Sequence, residues 1–105
     1  MASGILGQSA PAATTNTTVY TVPAATLAVV NISVVNRGGS GATVRIALAA
    51  GSTPNDEEYI EYNTSVGSTS VLERTGVVLD AGKNVVVHAS SADTSISVYG
   101  LESAA

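Results

Sequence analysis

The sequence predicts an all-β domain: a seven- to eight-stranded antiparallel β-sandwich, immunoglobulin-like or jelly-roll, with an extended N-terminal arm. Three observations carry that expectation. Hydrophobic residues make up 45% of the chain, yet Val and Ala dominate them, Phe, Trp and Cys are absent, and four Tyr are the only aromatics. Small β-branched side chains pack well on a pleated surface and lose rotamer freedom in a helix. The apolar residues fall in short runs separated by turn clusters, at the spacing of a sandwich or barrel. Finally, no stretch carries helical spacing with a cap at its head and a stop at its end.

Residues 1–16 hold no charged side chain, and Gly4, Gly7, Ser9 and Pro11 leave no usable periodicity, so this stretch reads as an extended arm. Within it, Ile5 and Leu6 are large apolar groups with no local core to enter. In an assembly they would anchor the arm in a neighbour's groove or along its sheet edge. A disordered tail or a strand packed on its own domain are the alternatives. Residues 17–105 form the sandwich.

Thr17 to Val22 is the first strand of that domain, ended by Pro23, which has no N–H to offer a ladder. Thr26 to Asn36 is the longest run. Ala28, Val30, Ile32 and Val34 share one face by period two, while Leu27, Val29 and Val35 on the other predict burial on both sides over part of its length. Arg37 to Gly41 holds three glycines, which take positive φ at no steric cost, and is expected to return the chain as a hairpin. In the returning strand, Thr43 to Ala49, Val44, Ile46 and Leu48 point inward and Thr43, Arg45 and Ala47 outward.

Beyond a loop over residues 51–56, Glu58 to Thr64 is a strand with Ile60 and Tyr62 on one face and Tyr59 and Glu61 on the other. Val71 to Leu79 follows, bent at Gly76, with Leu72, Val77 and Leu79 in the core. Asp80 to Asn84 turns the chain into the last two strands, Val85 to Ala89 and Ser95 to Leu101, which are joined by a polar turn.

Charged residues are only 11% of the chain, less than half the roughly 25% of an ordinary soluble domain. The surface is therefore covered by Ser, Thr, Asn, Gly and Ala, which desolvate cheaply when packed against a neighbour. The net charge is −4, and the four basic residues, Arg37, Arg45, Arg74 and Lys83, are scattered, which argues against nucleic acid as a partner. The first residues lack the basic segment and apolar run of a signal peptide, and nothing approaches the roughly 20 apolar residues of a membrane helix. The expectation is a protein made and used in the cytosol, with no membrane partner.

No constellation predicts catalysis, a cofactor or a metal. The only His, His88, sits in a Val-rich strand facing away from Val85 and Val87 and reads as an outward or edge side chain satisfied by a neighbouring hydroxyl, while Ser and Thr are too many for any one to mark a nucleophile. Asp56, Glu57, Glu58 and Glu61 are the one dense acidic group, but they lack the ligand and glycine spacing of a calcium loop and fit a solvated strand entry or a salt bridge to Arg45 or Arg74. Gly38 to Gly41 opens no helix and so is no phosphate cradle. Tyr20, Tyr59, Tyr62 and Tyr99 fall roughly one to a strand, each expected to be half-buried with a wet hydroxyl or to touch another subunit.

Residues 4–11, Tyr20 to Ala24, Val29 to Arg37, Thr43 to Ala47, Glu58 to Tyr62, Leu72 to Arg74 and Val98 to Gly100 resemble phrases of small virion structural proteins of tailed bacteriophages, especially those infecting cyanobacteria. The resemblance implies a β-sandwich subunit displayed on the virion, as a head decoration or cement protein, or in a tail, neck or fibre. It implies no active site. The expected partners are the major capsid protein or other virion proteins and copies of the chain itself, as a trimer or dimer. Ile5, Leu6, Tyr20, Tyr59 and Tyr62 are the candidate assembly contacts. A carbohydrate or host-receptor binding module is the rival class, for which Tyr59, Tyr62 and Tyr99 are the only possible sugar platforms.

Overall fold

The computed structural model describes residues 2–105. Eight strands run β1 (Ser3–Ser9), β2 (Thr17–Thr21), β3 (Thr26–Asn36), β4 (Ala42–Ala49), β5 (Tyr59–Val66), β6 (Val71–Leu79), β7 (Asn84–Ala89) and β8 (Thr94–Ala104), with one 3-10 turn at Asp56–Glu58. β1 pairs with β8, β2 with β7, β3 with β6 and β4 with β5, all antiparallel. The chain is thus one long two-stranded ribbon whose tip is the β4–β5 hairpin. Rolling the ribbon adds β3–β8 and β4–β7, giving two four-stranded sheets in the orders β1-β8-β3-β6 and β2-β7-β4-β5. This is the jelly-roll form of the sandwich.

The topology changes three expectations. Arg37 to Gly41 is not a hairpin, because β3 and β4 lie in different sheets and the turn carries the chain across the sandwich. The buried Asn36 organises that crossing: its amide donates to the carbonyls of Ser40 and Val66 at 2.8 and 3.1 Å, and its Oδ1 accepts from the Gly38 N–H. The extended arm is, over Ser3–Ser9, an edge strand of the chain's own first sheet, paired with β8. Val29 and Val35 are not buried on both sides: they stand 43% and 37% exposed, since nothing covers the outer face of β3 among the described residues.

The core follows the period-two reading. Val30, Ile32 and Val34 of the first sheet meet Val44, Ile46, Val85 and Val87 of the second, all fully buried, with Leu79, Ile96 and Val98 beside them. Each such side chain contributes about 1.5 to 3 kcal/mol on burial, so many small residues replace a few aromatic ones. Gly100 lies where β8 meets β3; a Cβ there would fall 2.1 Å from the Val29 carbonyl oxygen.

The two sides of the sandwich close differently. Where β1 approaches β2, Gly7 lies so near the Val19 backbone that a Cβ would come within 2.2 Å of its carbonyl oxygen. On the opposite side, Arg74 of β6 pairs with Glu61 of β5 and donates to the Ile60 carbonyl at 3.0 Å. All four pairings that involve an edge strand contain a register shift, while the central pairings β3–β8 and β4–β7 run without one. Such bulges blunt an edge against pairing with another chain.

Candidate interaction surfaces

The outer face of the first sheet collects the exposed apolar residues. Of the seven large hydrophobic side chains exposed among the described residues, six lie here: Ile5, Val29, Val35, Val71, Val78 and Leu101. Register explains the clustering. Val78, Val29 and Leu101 are paired in one row across β6, β3 and β8, and Ile5 pairs with Tyr99 two residues along. Val35 and Val71 are paired at the far end of the same face. The middle of the face is polar, with Asn31, Ser33 and Ser97. One charged side chain, Glu73, stands on it, and the Tyr99 hydroxyl donates to that carboxylate at 3.2 Å. Partial burial, this bond and the adjacent negative charge together raise the Tyr99 pKa above its ordinary value.

The outer face of the second sheet is built on other lines. The row Val86–Ala47–Tyr59 crosses β7, β4 and β5, and the Tyr59 ring covers a floor made of Ala47, Ala49 and Val86. Tyr62 meets Tyr59 edge to face, with ring centroids 5.0 Å apart and planes at 83°. The Arg45 guanidinium lies 4.4 Å from the centroid of the Tyr62 ring, and its Nε donates to the Asn63 side-chain oxygen at 2.8 Å. Asp56, Tyr59 and Tyr62 line an open depression of about 390 Å³.

This grouping requires a correction to the alternation expected for β5. Tyr59 and Tyr62 share a face, because two register shifts interrupt the strand, one at Ile60 and one at Tyr62 and Asn63 opposite Arg45. The first turns Ile60 onto the core. It also leaves Glu61 paired with the inward-facing Ile46, where it accepts from the Thr64 hydroxyl at 2.6 Å and holds Arg74. The second shift is made by Asn63 at φ 52°, a left-handed conformation that Asn tolerates better than most residues. A bulge re-aims side chains in this way.

The loop that brings Asp56 to the depression is pinned by Glu58. Its carboxylate accepts from the backbone N–H groups of Asn55 at 2.8 Å and Ala50 at 3.0 Å. Those two bonds, the Asn55 one foremost, hold the carboxyl below its ordinary pKa. The acidic run is accordingly divided: Glu58 ties the loop, Glu61 joins the sheet edges, and Asp56 faces the depression. Among the described residues no three His, Asp or Glu side chains gather in a metal-ligating group.

The five residues proposed from sequence are not brought together. Ile5 stands on the apolar face of the first sheet, while Leu6 turns inward to pack on the core. Tyr20 is core, 7% exposed. Tyr59 and Tyr62 form the pair on the second sheet. His88 is opposite Arg45 on that outer face, half-buried. Sequence reasoning named Val29 and Val35 as second-face residues but missed Val71, Val78 and Leu101, whose signal was an apolar residue at a position off the core-facing set in strands already assigned. Comparison with protein-family models, curated proteins and solved structures finds no match for the chain.

Proposed function

We propose that the chain is a structural subunit that works by assembly, and, from its resemblance to small virion proteins of tailed phages, that it is a capsid decoration or cement protein of the virion. In this reading copies associate with one another through the outer face of the first sheet and together bind the major capsid protein; no substrate is turned over.

The observation that carries the reading is the concentration of six exposed large hydrophobic side chains on that one face. Soluble monomers rarely leave such a patch uncovered. A second copy is the occupant that complements it. The face carries exposed apolar residues on either side of a polar middle, with Glu73 its one charge, and no other face of the described chain collects comparable apolar residues, so the surface that matches it on a copy is the same surface, related by a two-fold axis. At ordinary strand spacing and rise, the face offers about 500 Å² per copy, or about 1,000 Å² in a pair, the lower end for a specific interface. The blunted edges favour stacking of faces over strand-to-strand addition.

The test of the virion assignment is cosedimentation of the purified protein with tailed cyanophage particles, followed by gold labelling. Saturable binding with label over the head is expected. Label confined to tails or fibres would move the protein there, and no binding to any particle would remove the virion from the account.

A further inference from the structure

We propose that the depression lined by Asp56, Tyr59 and Tyr62 is a binding site for a neutral saccharide, separate from the assembly face and on the opposite sheet. Three features select that chemistry. Tyr62, 57% exposed and set against Tyr59, offers the ring surface that Arg45 leaves open as apolar area for the C–H face of a pyranose. The Asp56 carboxylate accepts hydrogen bonds, and the phenol groups both donate and accept, which suits a ligand rimmed with hydroxyls. The local charge disfavours charged ligands: Asp56 in the lining opposes an anion, and Arg45 already takes the cation position on a face of the Tyr62 ring.

The site is also preorganised. Tyr59 rests on Ala47, Ala49 and Val86, Arg45 is held by Asn63, and the Asp56 loop is tied down by Glu58. At about 390 Å³ and open to solvent, the depression has room for one or two sugar rings, so single-site binding is expected in the millimolar range, where an oligomer gains by avidity.

The experiment is an amide and aromatic NMR titration of the full chain with glucose, galactose, mannose, N-acetylglucosamine and their β-linked disaccharides, with choline chloride and a polyproline peptide as contrasts. Saturable shifts confined to residues 45, 47 and 55–63 with one of the sugars are expected. Tyr62→Ala, at an exposed position, should weaken binding about tenfold, and Asp56→Asn should weaken it less, with the rest of the spectrum unchanged. Leu101→Lys, on the other sheet, should leave sugar binding as it is, so failure of the assembly reading would not affect this result. Absence of sugar shifts at 50 mM, on the order of the weakest useful affinity, would overturn the proposal. So would shifts unaffected by Tyr62→Ala, or binding of choline or the peptide alone.

Discussion

The Tyr20 hydroxyl donates to the Glu102 carboxylate at 2.5 Å, joining β2 of the second sheet to β8 of the first. The same carboxylate accepts from the Ala2 N–H at 3.1 Å, and the Glu102 N–H returns a bond to the Ala2 carbonyl. One side-chain pair therefore ties both sheets and the start of the chain.

Burial first, and the Glu102 bond second, push the Tyr20 phenol well above its ordinary pKa. The native state keeps this proton where the unfolded chain loses it, so the contribution is complete below about pH 10 and drains away as the pH rises further. Tyr20→Phe should cost about 1 to 2 kcal/mol at pH 7 and show a flatter alkaline limb than the wild type. Glu102 works in the other direction: the Tyr20 hydroxyl, then the Ala2 N–H, hold its carboxyl low, and that stability is lost as the pH falls through the depressed value. The gap between wild type and Tyr20→Phe should therefore narrow in acid. Urea unfolding at pH 3, 7 and 10.5 checks all three statements.

Close backbone approach gives a second prediction. Gly100→Ala and Gly7→Ala each place a Cβ against a backbone oxygen that cannot swing aside, and should cost about 3 kcal/mol or more or prevent folding. At Gly39 a Cβ would meet nothing within 4 Å, and Gly39→Ala should stay within about 0.5 kcal/mol of wild type. Thermal melts of the three variants separate these outcomes.

The Arg74–Glu61 pair gives a third. The Glu61 side chain is 12% exposed and the Arg74 side chain 47%. Arg74→Met leaves a nearly dry carboxylate with the Thr64 hydroxyl for company and should cost about 2 kcal/mol, and the further change Glu61→Leu should recover part of it. A double-mutant cycle by chemical denaturation reads the coupling; additive effects would mean that the two sheets do not communicate through this contact.

Strand positions were legible because each of seven runs has its own alternation and its own turn residues. β1 was not, since its ladder is supplied by β8 at the other end of the chain, and Gly4 and Gly7 carry no pattern of their own. The hairpin expected at Arg37 failed for a related reason: three glycines announce a reversal but do not say whether the next strand stays in the sheet. The faces of β5 escape a sequence reading because alternation assumes a regular strand, and the shifts at Ile60 and Asn63 each displace it by one residue. As a result the Tyr59–Tyr62 pair, the centre of the depression, could be recognised in the sequence as two tyrosines but not as neighbours. The apolar residues on the outer face of the first sheet were half legible, in Ile5, which had no local core to enter, and in Val29 and Val35, whose second-face position called for a cover that the described residues do not provide.

Sedimentation velocity across a concentration series, with wild type beside Val78→Lys/Leu101→Lys, tests the central claim. Both positions are more than 60% exposed, so the charges replace surface groups and the circular dichroism spectrum should not change. Wild type should sediment as a dimer or larger species from tens of micromolar upward, and the double variant as a monomer. A wild type that stays monomeric at millimolar concentration, or a variant that assembles just as well, would contradict the account.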